Sequence, residues 1–247
     1  MKELLIDINC DVGEGIGNEA DLLPLISSCN IACGGHAGDL ESMMHVVKLA
    51  KENGVLIGAH PSYPDLKNFG RLTMNIEPTD LKESIQKQII ELNAIVKSQE
   101  LSLHHIKPHG ALYNDLAKNK KLAQLFLEAI VSYKEDTFLY VPPGSIIAQL
   151  AITQGFNIKY EAFADRSYNQ DLSLVSRKLP KAVLDVPDNV YDHLVEMVKK
   201  SRVTAVNGKQ IPIKADTYCL HGDTPNALQI LMYLSKKLLE QNIYIKK

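Results

Sequence analysis

The stretch Leu4-Leu5-Ile6-Asp7-Ile8-Asn9-Cys10-Asp11 is apolar enough for a buried strand, yet from Asp7 onward every second position is polar. Successive side chains of a strand point to opposite faces, so Asp7, Asn9 and Asp11 share one face and Leu4, Ile6 and Ile8 the other. A strand that is greasy on one side and polar on the other, and that ends on Asp11 ahead of Gly13-Glu14, suits a sheet whose polar face leads to a site.

The same design recurs outward from there. Short apolar or β-branched runs are predicted as strands over Glu3 to Asn9, Cys29 to Cys33, Val55 to Ala59, Leu103 to Lys107, Thr137 to Val141, Asn157 to Glu161 and Thr217 to His221. They alternate with helical patterns, the signature of βαβ units and a parallel sheet. Parity places His60 above Gly58, His105 with Lys107 ahead of His109, and His221 above Cys219 and ahead of Asp223. His36 follows the second strand and Asp165-Arg166 the sixth. In an open sheet only the loops at the switch point converge, whereas in a closed barrel all C-terminal strand ends face one mouth. Polar ends on six of the seven predicted strands therefore favour an α/β fold of one domain over residues 1–247, a seven-stranded (β/α) barrel.

The helices carry their own signals. Asp39 is an N-cap before Leu40, Met43, Val47 and Ala50 at helical spacing, and Asn53-Gly54 is a stop. Pro78 opens a segment with Leu81, Ile85, Ile89 and Leu92 on one stripe, and Thr224-Pro225 is expected to cap a last helix carrying Leu228, Leu231 and Leu238. Two alternating runs flank Asn207-Gly208 between Arg202 and Lys214, a hairpin inserted ahead of the last strand.

The 247 residues are 45% hydrophobic and 23% charged with a formal net charge of -2, ordinary values for a folded globular chain. Lys and Arg are scattered, which argues against nucleic acid as a partner. No apolar run spans a bilayer, and the start Met1-Lys2-Glu3 followed by three apolar residues is too short for a signal-peptide core; a cytoplasmic location is expected. Cys10, Cys29, Cys33 and Cys219 lack zinc-ribbon spacing and read as buried thiols. There is no G-x-x-x-x-G-K-[ST], no G-x-G-x-x-G and no G-x-S-x-G. Asp39 is explained by its cap, and His45, His104 and His193 by packing.

At the strand ends the chain resembles the LamB/YcsF family, through Asp7-Ile8-Asn9-Cys10-Asp11-Val12-Gly13-Glu14, Asn30 to Asp39 and Gly58-Ala59-His60-Pro61. The likeness continues through Phe69-Gly70-Arg71, Lys107-Pro108-His109-Gly110-Ala111-Leu112-Tyr113, Phe163 to Tyr168 and His221-Gly222-Asp223-Thr224-Pro225, in family order over almost the whole chain. Three departures stand out: Gly35 where the family usually has phenylalanine, a shorter segment from Gly15 to Asp21, and Lys181 where glycine is common.

The resemblance implies a barrel related to the glycoside hydrolase/deacetylase superfamily. It also implies a role in the ATP-dependent opening of 5-oxoproline to glutamate with subunits B and C, ATP with Mg being the co-substrate. On that reading His60 or His109 serves as general base, with Asp11 fixing a tautomer or binding a metal. Lys107 and Arg166 stabilise the developing oxyanion, a phosphate or the substrate carboxylate. Asn9, Glu14, His36, Arg71, Asp165, Arg166, His221 and Asp223 are the expected substrate-binding residues. A divalent metal, if used, is expected on Asp11, His36, His60 and His109, as in the related deacetylases. The competing readings are a stand-alone metal-dependent amidase and a non-catalytic assembly component, and self-association is left open.

Overall fold

The computed structural model describes residues 3–247. Along the chain the strands are β1 (Leu4–Ile6), β2 (Ile8–Val12), β3 (Ser28–Ala32), β4 (Leu56–His60), β5 (His105–Ile106), β6 (Phe138–Val141), β7 (Asn157–Phe163), β8 (Arg202–Thr204), β9 (Gln210–Pro212), β10 (Thr217–Cys219) and β11 (Ile243–Ile245). The helices are α1 (Glu19–Leu22), α2 (Leu40–Glu52), α3 (Pro78–Ser98), α4 (Gly110–Leu116), α5 (Lys120–Ala129), α6 (Ile146–Thr153), α7 (Pro187–Lys200) and α8 (Ala227–Lys237). Seven strands close a parallel barrel in the order β10-β2-β3-β4-β5-β6-β7, as the polar strand ends predicted.

One expected strand is two. The run from Glu3 to Asn9 breaks at Asp7: β1 pairs in parallel with β11 at the chain's end, outside the barrel, and only β2 enters it. Asp7 sits at the break with its carboxylate turned inward, accepting from Ser28 Oγ at 2.9 Å and from Thr217 Oγ1 at 2.6 Å. Three further expectations are corrected. The strand from Leu103 to Lys107 is regular only over His105–Ile106. Leu40 is exposed, because α2 turns Met43, Val46, Val47 and Ala50 to the sheet instead. Thr224 does not cap α8; Asn226, in the left-handed region at φ 62°, precedes that helix, and the Thr224 hydroxyl points at Asp165.

The other local readings hold. Asp39 and Ser42 form a reciprocal capping box, Pro78 stands in the first turn of α3, and β8 and β9 pair antiparallel around Asn207-Gly208. Leu81, Ile85, Ile89 and Leu92 are buried, each removing apolar surface worth about 1.5–3 kcal/mol from water. All four cysteines are free and buried, and burial pushes the Cys29 and Cys33 thiols up to about 12. Lys181, where the family commonly has glycine, adopts a positive φ of 61°, a conformation uncommon for a residue with a Cβ. At Gly35 a Cβ would lie 2.3 Å from Gln88 Oε1 and Ser62 Oγ, so those two polar groups occupy the space beside His36. No helix among the described residues is long and apolar enough to cross a membrane.

Candidate active site

The barrel interior is polar along much of its axis. Asn30 on β3 donates through Nδ2 to Asn9 Oδ1 at 2.7 Å and to Asp11 Oδ1 at 2.8 Å, and its own Oδ1 faces His105 Nε2 at 2.7 Å. His105 lies flat on Tyr140, with ring centroids 4.0 Å apart, and approaches β4 so closely that a Cβ on Gly58 would stand 2.1 Å from its Nε2. Only glycine fits at residue 58. This layer is the floor on which the groups of the mouth are fixed.

Lys107 rises from the end of β5 and is 3% exposed at its side chain. Its Nζ lies 2.8 Å from Asp11 Oδ1, 3.0 Å from Glu161 Oε1, 3.1 Å from Cys219 Sγ and 3.3 Å from Asn9 Oδ1. Burial alone would push the ammonium down, but Asp11 and Glu161 outweigh it and hold Lys107 well above its ordinary value. For Asp11 burial acts upward, and His60 and Lys107 overcome it to hold the carboxylate well below the usual range. The floor of the mouth is therefore a fixed cation between two carboxylates, with a neutral thiol beside it.

Next to this floor Glu14, His36, His60 and His109 converge, with one donor atom of each lying within 4.8 Å of the others. His36 Nε2 is 2.8 Å and His109 Nδ1 is 3.3 Å from Glu14 Oε1, and His109 Nδ1 is 2.9 Å from His60 Nε2. The rings of His36 and His109 stack at 3.5 Å. Glu14 thus takes the place expected for Asp11, which lies below, its Oδ2 3.3 Å from His60 Nε2.

The tautomers follow from the outer partners. His60 Nδ1 faces the Lys107 carbonyl at 2.7 Å and His109 Nε2 faces the Phe69 carbonyl at 3.0 Å, so those nitrogens carry the protons. The inward nitrogens of the two rings stand 2.9 Å apart, His60 Nε2 also 3.3 Å from Asp11 Oδ2 and His109 Nδ1 3.3 Å from Glu14 Oε1, so a proton or a cation must stand between them. Burial holds His36 and His109 well below the usual imidazole value and pushes Glu14 well above the usual carboxylate value, so the neutral forms of those two rings are favoured. Four ligands at about 2.0–2.1 Å from a tetrahedral ion stand about 3.3 Å apart, close to the spacing of this set. Carbonyls holding the far ring nitrogens are the usual outer support of metal-binding histidines. The residues fit a divalent ion of the zinc class.

A second pair lies across the mouth. Asp165 accepts from the His221 backbone N–H at 2.9 Å, faces His221 Nδ1 at 2.9 Å and accepts from the Thr224 hydroxyl. Burial pushes Asp165 up, but His221 and the hydrogen bonds from Thr224 and the backbone hold it below the usual range. The Asp165 contact assigns the His221 proton to Nδ1 and leaves Nε2 as the free ring nitrogen, and the ring lies within reach of Asp11 and Cys219, one donor atom of each of the three within 4.8 Å of the others.

Three expected residues fall elsewhere or differently. Arg166 does not reach the mouth: its Nε and Nη2 donate to the Ala182 and Val175 carbonyls at 3.2 and 2.7 Å, pinning the long loop after β7, and burial with nearby Arg177 lowers it to about 10. Arg71 and Asp223 pair at the rim, joined by Arg177, which sequence reasoning missed. Glu161 and Asn30 were also missed. Glu161 had a signal, since it shares the inward parity of Lys159 and Phe163 on β7; Arg177 sits in an irregular loop and had none.

Residues 6–247 match the LamB/YcsF family. The chain is 40% identical over 245 residues to a Pyrococcus horikoshii protein named as the A subunit of 5-oxoprolinase, covering 97% of this chain and 96% of the relative. A crystal structure of a lactam utilization protein from Thermus thermophilus superposes with a TM-score of 0.91 at 33% identity, over 98% of this chain and 99% of that one. A deacetylase solved with substrate shares the fold alone, at a TM-score of 0.51 and 12% identity over 98% of this chain and 87% of its own. The chain belongs to the LamB/YcsF family.

Proposed function

We propose that this chain is the A subunit of an ATP-dependent 5-oxoprolinase, acting in the cytoplasm with subunits B and C to open 5-oxoproline to glutamate. The observation that carries the reading is the 40% identity, over nearly the full length of both chains, to proteins named as the A subunit of 5-oxoprolinase. The buried polar mouth supplies groups suited to the chemistry.

A lactam carbonyl is resonance-stabilised, and transfer of a phosphoryl group from ATP to its oxygen makes the ring carbon electrophilic. Water adds there and gives up a proton to a base, the ring C–N bond breaks as the nitrogen takes that proton, and hydrolysis of the acyl phosphate so formed releases phosphate and glutamate. The chain has no nucleotide-cradling P-loop, so phosphoryl transfer is assigned to the partner subunits and ring opening to this mouth. His221, oriented by Asp165, is the better general base than His60 or His109, because the Asp165 contact on Nδ1 leaves its Nε2 free while the inward nitrogens of the other two are engaged with each other, with Asp11 and with Glu14. Lys107, kept protonated by Asp11 and Glu161, donates to the negatively charged phosphoryl oxygens of the adduct that forms as water adds to the ring carbon. Glu14, His36, His60 and His109 would hold a divalent ion, which when bound supplies a Lewis acid for the same carbon–oxygen bond.

The same four donors support a second reading, a metal-dependent amidase working without ATP or partners. Glutamate formation from 5-oxoproline by the purified chain, with and without ATP, subunits B and C and a chelator, separates the two. Activity only in the full mixture supports the proposal. Chelator-sensitive activity of the chain alone on other amides overturns it.

A further inference from the structure

Three loops meet over the mouth, one following β4, one following β7 and one following β10. Arg71 in the first donates through Nη2 to Asp223 Oδ2 in the third, and Arg177 Nη1 in the second lies 3.4 Å from the same oxygen. The other oxygen, Asp223 Oδ1, is buried with no hydrogen-bond partner among the described residues. One carboxylate oxygen thus serves two guanidiniums while its twin is stranded, an arrangement that wastes acceptors on one side and donors on the other, since each guanidinium carries five N–H groups.

The pair is next to the chemistry. Arg71 Cζ stands 4.9 Å from the centre of the Phe69 ring, whose edge contacts run to His36 at 5.2 Å and His109 at 5.4 Å. The side chains of Arg71 and Arg177 are 39% and 28% exposed, against 3% for Lys107, which is already engaged by two carboxylates. Arg166 is tied to loop carbonyls. Of the cations described around the mouth, the two at the rim are the ones a ligand reaches first.

We infer that Arg71 and Arg177 form a binding pair for a small anion, a carboxylate or a phosphoryl group, which takes the position held by the Asp223 carboxylate. Asp223 is the built-in counterion that keeps the pair assembled. A ligand carboxylate can offer each guanidinium its own oxygen, which one oxygen of Asp223 cannot. The choice of ligand rests on the proposed function: 5-oxoproline carries a carboxylate, and its activated form carries a phosphoryl group as well.

The test is calorimetric titration of the purified full chain with 5-oxoproline, with 2-pyrrolidinone, which is the same ring without the carboxylate, and with orthophosphate. If the carboxylate is bound, Arg177→Gln weakens 5-oxoproline about tenfold or more, Arg177→Lys restores part of the loss, and 2-pyrrolidinone is insensitive to both. If the phosphoryl group is bound, orthophosphate shows that pattern and 5-oxoproline does not. Asp223→Asn tightens the anion in either case, whereas a purely structural bridge would loosen on the same change. Unchanged affinities in Arg177→Gln, or no binding of either anion by the unaltered chain, overturn the inference. Glutamate formation by the complete mixture is measured alongside. Turnover with Arg177-independent binding discards the arginine pair and keeps the proposed function, and Arg177-dependent binding without turnover does the reverse.

Discussion

Replacing Lys107 with methionine keeps most of the side-chain volume and removes one charge from the barrel interior. In the native arrangement that charge sits 2.8 Å from Asp11 and 3.0 Å from Glu161, with all three side chains at most 4% exposed. Removing one partner of a buried ion pair costs about 3–5 kcal/mol, because the other is left charged and unsolvated. Here two carboxylates are stranded by one change, so the upper part of that range applies. For a chain of this size each kcal/mol moves the thermal midpoint about 2–4 °C, so about 4–5 kcal/mol gives a fall of about 8–20 °C. Differential scanning calorimetry of Lys107→Met at pH 7 measures it directly. The double variant Lys107→Met/Glu161→Gln removes one stranded charge and recovers part of the loss. A midpoint within about 2 °C of the unaltered chain, or a double variant no better than the single, refutes the view that Lys107 holds the site together.

Cobalt(II) added to the purified chain should give visible absorption typical of a tetrahedral site, retained in His45→Ala and lost in His36→Ala and in Glu14→Gln; equal spectra in all of them would show that the donor cluster holds no ion. Asp165 is held below its usual value, so its stabilising contribution is complete above the unfolded value of about 3.9 and disappears as pH falls through the lower folded value. The midpoint gap between the unaltered chain and Asp165→Asn should therefore be wide at pH 7 and narrow toward pH 3, and a gap constant across that range would contradict the assignment. Gly58→Ala forces a Cβ against His105 and should cost about 1–3 kcal/mol, read by urea unfolding, while a neutral result would mean that the His105 ring is free to move aside.

The barrel could be read from the sequence because its evidence is local and periodic. Alternation put Asp7, Asn9 and Asp11 on one face and His105 with Lys107 on another, and closure follows once most strands end in polar residues. The break at Asp7 could not be read, since β1 is held by β11 more than 230 residues away and nothing in Leu4-Leu5-Ile6 marks a change of sheet. In the site, residues on strands were found with their inward parity, whereas loop residues were placed by motif alone. Arg166 shows the limit: it adjoins Asp165 in the chain, but the backbone turns it to the carbonyls of Val175 and Ala182, and Arg177 from the same loop reaches the rim instead. Glu14, expected among the substrate-binding residues, joins the three histidines while Asp11 lies below them, because Gly13, at φ 71°, bends the chain between the two.

The proposed function assigns ring opening to this mouth with His221 as general base. In a mixture with subunits B and C and ATP, glutamate and ADP released by the unaltered chain and by His221→Asn are measured in the same reaction, with calorimetry confirming that the variant is folded. Loss of the general base predicts a fall in glutamate formation of about 100-fold or more. Glutamate formation at the unaltered rate would contradict the claim that this barrel mouth opens the ring.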